Sequence, residues 1–171
     1  ARSMGAEILR HTAVKAIARS GSSWLVTTSK GEIRAEVVVN AAGLRATDVA
    51  GLFAGLDSRH TPRTRYAKGT YFVLRQKSPF KHLVYPLPKG AGLGVHVTLD
   101  LAGQTRFGPD QEWIDQIDYR LDSDRAETFY ESIQKYWPAI PAGSLAPGYT
   151  GVRPKIVAQG EPPGDFMIQG P

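Results

Sequence analysis

The stretch VVVNAAGLRATDVAG, residues 37–51, decides how the first third of the chain is read. Glu32 to Asn40 climbs from alternation into three consecutive valines, the pattern of a strand buried on both faces. The run then breaks into Asn40, Ala41, Ala42 and Gly43, and apolar residues recur at Val49, Leu52, Phe53 and Leu56, one face of a short helix. Strand, small-residue turn and helix is the order of an α/β unit. In such units ligands sit beyond the carboxyl ends of the strands, where a small side chain lets backbone approach a pyrophosphate. Small residues equally permit tight packing of strand on helix, and the residues alone leave both readings open.

Upstream of this stretch, Glu7–Ile17 is extended in pattern, Ser20–Ser23 is a turn, and Trp24–Thr28 is β-branched and aromatic, which together predict a hairpin. Downstream the style changes to long strands with short connections: RTRYAKGTYFVLRQ from Arg63, HLVYPLP from His82, LGVHVTLDL from Leu93 and QTRFG from Gln104. That succession predicts an antiparallel sheet. A helix is expected over 123–137, with Asp124 and Glu127 as its N-terminal capping signal, a stripe of Ala126, Phe129, Tyr130, Ile133 and Trp137, and Pro138 as its stop. Leu145–Ala158 reads as irregular strand and Asp165–Gln169 as another. The fold class is therefore α+β. A small βββα unit (about 1–58) is followed by an antiparallel sheet with a flanking helix (about 59–160) and a closing strand (161–171).

Composition narrows the chemistry. With 171 residues, 42% of them hydrophobic, the chain can fill a core. It has no cysteine, so disulfides, thiolate catalysis and Cys-ligated metals are excluded. No apolar run reaches the length of a membrane span and the N-terminus lacks a signal-peptide layout, so a cytoplasmic protein is expected. Because the sequence begins Ala-Arg-Ser and closes on an apolar strand-like run, a segment of a longer protein is expected too. The net charge of +5 is mostly dispersed. Its densest patch is Arg59, His60, Arg63, Arg65 and Lys68, where strand alternation puts Arg63 and Arg65 on one face and Tyr66 and Lys68 on the other. A solvated or anion-attracting strand is the reading, with no nucleic-acid partner.

Several motifs are absent or weak. Gly90, Gly92 and Gly94 do not have dinucleotide-loop spacing, and a hairpin turn fits them better. His11, His60, His82 and His96 are too far apart for a local metal site, so no metal is expected. Arg153 is more informative. It lies between Val152 and Pro154, and proline holds its predecessor extended, so a planar guanidinium fork can be presented to a carboxylate at little entropic cost. A surface arginine paired with an acid is the competing reading. In Leu93–Asp100, Leu93, Val95, Val97 and Leu99 share one face while Gly94, His96, Thr98 and Asp100 share the other. That polar set can line a site to which Tyr85 adds a hydroxyl, or it can be half-buried packing.

These pieces, in this order, resemble the FAD-dependent oxidoreductases of the D-amino-acid oxidase superfamily, and more narrowly the L-2-hydroxyglutarate dehydrogenase/oxidase branch. The residues that carry the resemblance are VVVNAAGL (37–44), KGTYFVL (68–74), HLVYPLP (82–88), GLGVHVTLDLAGQTRFGPD (92–110), YTGVRPK (149–155) and DFMIQGP (165–171). The resemblance implies that residues 7–40 belong to an α/β FAD-binding domain, with Val14 near the adenine and Ala41, Ala42, Gly43 and Leu44 beside the cofactor. It implies that the sheet from Arg63 to Gly108 is a substrate domain roofing the isoalloxazine. Arg153 then holds the carboxylate of a small substrate, a 2-hydroxy acid such as 2-hydroxyglutarate or a 2-amino acid, with Tyr85, His96 and Tyr66 lining the pocket. A hydride passes from the substrate to flavin, and oxygen or a quinone-linked carrier at a membrane surface accepts the electrons. No catalytic base is assigned. The family's N-terminal Gly-x-Gly-x-x-Gly unit has no counterpart in this sequence, so this segment alone is expected to bind FAD poorly and to be inactive. The other reading is a non-enzymatic β-sheet module that binds an anionic partner through its basic strand.

Overall fold

The computed structural model describes residues 2–87, 94–162, 164–165 and 167–168. Leu93 and the glycine turn at Gly90 and Gly92 lie outside the described residues, as do Phe166 and Gln169 of the expected closing strand. Asp165, Met167 and Ile168 are in no strand. The described residues fall into two compact units, one of residues up to Arg63 together with Ile168, the other Thr64–Met167.

The first unit is built on a three-stranded antiparallel sheet, β1 (Val14–Ser20), β2 (Ser23–Thr28) and β3 (Gly31–Ala35), in that order. The predicted hairpin is there, turning at Gly21 and Ser22. Ile17 is the buried centre of the unit. Its N–H donates to the Leu52 carbonyl and its carbonyl accepts from the Ala54 N–H, so the chain around Phe53 lies as a short parallel bridge beside β1. Phe53 meets the Trp24 ring edge-on at 5.5 Å.

Two expectations in this unit are corrected. The valine run is not a buried strand: β3 stops at Ala35, and Val37 and Val39 are 75% and 80% exposed. A strand buried on both faces needs sheet neighbours and covering layers, and no described residue pairs with residues 37–42. The helix is also shorter than its apolar stripe. A 3-10 turn at Gly43–Arg45 leads into α1 (Ala46–Ala50), which ends at Gly51 and leaves Phe53 to the bridge with Ile17.

The second unit holds a five-stranded antiparallel sheet. The strands are β4 (Arg65–Leu74), β5 (Val97–Leu99), β6 (Thr105–Phe107), β7 (Glu112–Ile114) and β8 (Leu145–Lys155), in the order β5-β6-β4-β7 with β8 along the other edge of β4. HLVYPLP contributes an isolated antiparallel bridge, Val84 to Val97, rather than a full strand. Burial alternates along β4, with Phe72 and Leu74 turned into a core that includes Val97, Phe107, Phe129, Ile133 and Leu145. The helix keeps the middle of its stripe but ends at Ile133, short of the expected Trp137: α2 (Ala126–Ile133) buries Phe129 and Ile133 completely, and Phe129 packs on Phe72 with ring centroids 4.7 Å apart. Its start differs from expectation, because a 3-10 turn at Ser123–Arg125 precedes it and the Asp122 carboxylate accepts the Asp124 N–H at 3.0 Å. β7 was not expected from the sequence, since three residues of Glu-Trp-Ile carry no measurable alternation. β8 is long despite Pro147 and Pro154, which cannot donate to a ladder and are tolerated because their strand borders only β4.

Candidate functional site

The β4–β8 register defines the site. Arg65 faces Lys155, Ala67 faces Arg153, Gly69 faces Gly151 and Tyr71 faces Tyr149. Partners directly opposite in an antiparallel ladder share a face, so these eight residues form one surface, opposite to that of Phe72 and Leu74. The Tyr71 and Tyr149 rings stack at 4.5 Å and 15°. Next to them Pro109 packs on Gly69 while Gly151 leaves bare backbone, and beyond the glycine pair stands Arg153, exposed. A Cβ on Gly151 would meet nothing within 4 Å, so the floor is open above β8.

A second row crosses the strands. Val84 pairs with Val97, which sets Tyr85 opposite His96; Gly108 donates its N–H to the His96 carbonyl at 3.0 Å; and a Cβ on Gly108 would lie 2.5 Å from the Thr70 carbonyl oxygen and 3.0 Å from Tyr71. Only glycine fits position 108, whose φ of 130° also favours it. Tyr85, His96, Tyr71 and Tyr149 therefore line up across the sheet with a gap over Gly108. The Tyr85 and His96 rings stack at 4.5 Å and 14°, with His96 buried and Tyr85 exposed. His96 Nδ1 lies 3.3 Å from the Gly94 carbonyl. A carbonyl can only accept, so Nδ1 carries the proton and Nε2 is the ring's acceptor. Burial holds the His96 pKa below the ordinary histidine value, with the Gly94 contact opposing it. Burial likewise raises the Tyr71 hydroxyl, helped by Tyr149 and opposed by Arg153, which places these groups within electrostatic reach of one another.

A cleft of about 680 Å³ opens on this surface, lined among others by Gly69, Tyr71, Tyr149, Gly151, Arg153 and Lys155. Asp110 stabilises its wall. One carboxylate oxygen accepts the Thr70 N–H at 2.7 Å in the gap that β6 and β7 leave along β4, and the other accepts from the Arg125 guanidinium. Of the residues named from sequence, Arg153 lines the cleft and the Tyr85–His96 stack borders the row that leads into it. Tyr66 alternates to the opposite face of β4, beside Ile114 and Pro154, and is not brought to Arg153. Tyr71, Tyr149, Gly69 and Gly151 were not named. Their signal was parity: glycine and tyrosine stand two apart in both KGTYFVL and YTGVRPK.

In the first unit, Val14 opens β1 and is partly exposed, and Ala41 and Ala42 are exposed. Asn40 shapes their turn, accepting the Ala42 N–H on Oδ1 and donating from Nδ2 to the Ala46 carbonyl at 2.7 Å. Gly43 has a φ of 56° with open space where a Cβ would be, and Leu44 is half-buried behind it. This turn presents bare backbone and methyl groups, which fits the close approach of a nucleotide.

Comparison with known proteins settles the family. Residues 1–171 match the family described as FAD dependent oxidoreductase, DAO. The chain belongs to that family. It is 47% identical over 151 residues to the mitochondrial L-2-hydroxyglutarate dehydrogenase of Arabidopsis thaliana, covering 81% of this chain and 31% of that protein. The chain thus spans about a third of the length of this curated relative. Glycine oxidase from Geobacillus kaustophilus shares the fold with a TM-score of 0.70 at 20% identity, over 91% of this chain and 39% of its own. L-alpha-glycerophosphate oxidase from Mycoplasma pneumoniae, solved with FAD bound, does so with 0.69 at 22% identity, over 86% and 40%. Membership of a redox-enzyme family favours the enzymatic reading over the non-enzymatic module.

Proposed function

We propose that the full-length protein is an FAD-dependent oxidoreductase of a small 2-hydroxy acid, with 2-hydroxyglutarate as the substrate and a 2-amino acid as the alternative. The observation that carries this is the cleft face of β4 and β8, open at Gly151, with Arg153 at one end and the Tyr71–Tyr149 stack at the other. The 47% identity to an L-2-hydroxyglutarate dehydrogenase supports the choice of substrate.

Flavin, when bound, supplies the hydride acceptor. The residues of this chain orient the substrate against it. The Arg153 fork holds the carboxylate next to the carbon that is oxidised, and the open space at Gly151 lets a flat group lie close to β8. The Tyr71 hydroxyl, its pKa raised by burial, stays protonated at neutral pH, and it and the Tyr149 hydroxyl donate to substrate oxygen. His96, held neutral by its burial under Tyr85, fixes the Tyr85 ring at the border of the cleft. Ala41–Leu44 and Val14 would contact the nucleotide of the cofactor through backbone and methyl groups.

The test is a substrate screen of the full-length protein with an artificial electron acceptor. Turnover of 2-hydroxyglutarate by a protein with flavin absorbance is expected. A colourless protein, or one that oxidises neither 2-hydroxy nor 2-amino acids, contradicts the proposal.

A further inference from the structure

Two cations, Arg153 and Lys155, line one end of the cleft, and Arg65 stands beside them across the ladder, more charge than a single carboxylate explains. Arg65 and Lys155 are directly opposite one another at the end of the β4–β8 ladder, both half-buried, and Arg153 is two residues along the same face. Opposed partners hold their Cβ atoms about 4.5–5.5 Å apart, and like charges at that separation destabilise a sheet. None of the three has an ion-pair partner among the described residues. The one acid lining the cleft, Asp110, is already held by Arg125. Lys68, the other strand cation of the basic patch, also borders the cleft, but its ammonium is paired with Asp118 at 3.4 Å and so is neutralised within the fold.

We infer that Lys155, assisted by Arg65, is a specificity-determining residue that binds the second carboxylate of a dicarboxylic substrate, while Arg153 holds the first. This rests on the proposed function of the same cleft. Arg153 and Lys155 are two residues apart on one strand face, roughly 6.5 Å along the chain, a span that the two acidic ends of a short diacid such as 2-hydroxyglutarate can bridge. Bound there, the diacid's second charge relieves the repulsion between Lys155 and Arg65, and a monocarboxylic acid leaves it unrelieved. Selectivity thus comes from a built-in unfavourable pair that only the right ligand satisfies.

The experiment compares 2-hydroxyglutarate with 2-hydroxypentanoate, which has the same carbon chain and lacks the second carboxylate, as substrates of the full-length protein. Lys155→Gln and Arg65→Gln are each expected to lower kcat/KM for the diacid by about tenfold or more, a size typical of losing one charged contact. Each should change the monoacid by less than about twofold. Lys155→Arg, which keeps the charge, should retain the preference. Equal losses on both substrates, or no loss on the diacid, overturn the inference. Arg153→Ala separates the two levels. If it weakens both acids while Lys155→Gln is unselective, only this inference fails; if it weakens neither, the reading of the cleft fails and takes the inference with it.

Discussion

On one face of β4, Phe72 and Leu74 join Phe129 and Ile133 in a closed core, and Thr70 and Lys68 continue the same buried row. On the other, Ala67, Gly69 and Tyr71 meet Arg153, Gly151 and Tyr149 across β8 in an open cleft, with Arg65 opposite Lys155 at the end of the ladder. The same alternation serves both, yet the first face spends its side chains on volume and the second on shape and charge. A sheet with one such face is a scaffold that can change its chemistry without losing its core.

Truncating the packed face should have the largest effect. Phe72→Ala removes a ring that is 1% exposed and is expected to cost about 3–5 kcal/mol in denaturant unfolding. A loss below about 1 kcal/mol would mean that the core is not the one described. The glycine pair sharpens the contrast. A Cβ at Gly69 would come 2.8 Å from the Pro109 Cβ, so Gly69→Ala should overpack and destabilise by about 1–3 kcal/mol. Gly151 has free space, so Gly151→Val should leave stability within about 1 kcal/mol of wild type. In the full-length enzyme the same change should lower kcat/KM by filling the floor. Matched unfolding and turnover measurements check both, and an active Gly151→Val enzyme removes the floor from the site.

The smallest effect is a pH dependence. The pKa of His96 is lowered in the folded chain, so the unfolded state binds more protons as pH falls below the ordinary histidine value of about 6.5. This contribution to stability is full above that value and is lost as the pH drops toward the folded pKa. Melting temperature should fall between pH 7 and pH 5, and His96→Gln should flatten that part of the curve. An unchanged slope in the variant would show that His96 is not held neutral.

Much of the sheet was legible because alternation and stripe are local properties. The long β4, the Phe129–Ile133 stripe and the isolated, stiffened Arg153 could each be read from a few consecutive residues. Three features depend on partners that no local pattern names. The valines of residues 37–39 have a composition suited to burial, but burial requires strands beside them, and among the described residues Val37 and Val39 are exposed and Val38 is only half-buried. The Tyr71–Tyr149 stack depends on the β4–β8 register, which joins residues 78 positions apart and includes an irregularity at Tyr71/Phe72. The start of α2 shifted because a 3-10 turn hands the capping role to Asp122, two residues before the residue with the usual spacing to Glu127.

The open face is the central claim, and Arg153 tests it most directly through flavin reduction in the full-length protein. In an anaerobic titration with 2-hydroxyglutarate, the wild-type flavin absorbance should bleach. In Arg153→Ala it should persist to far higher substrate concentration, by about 2–4 kcal/mol if bound flavin and substrate desolvate the pair. Bleaching of both proteins at the same concentration would contradict the account.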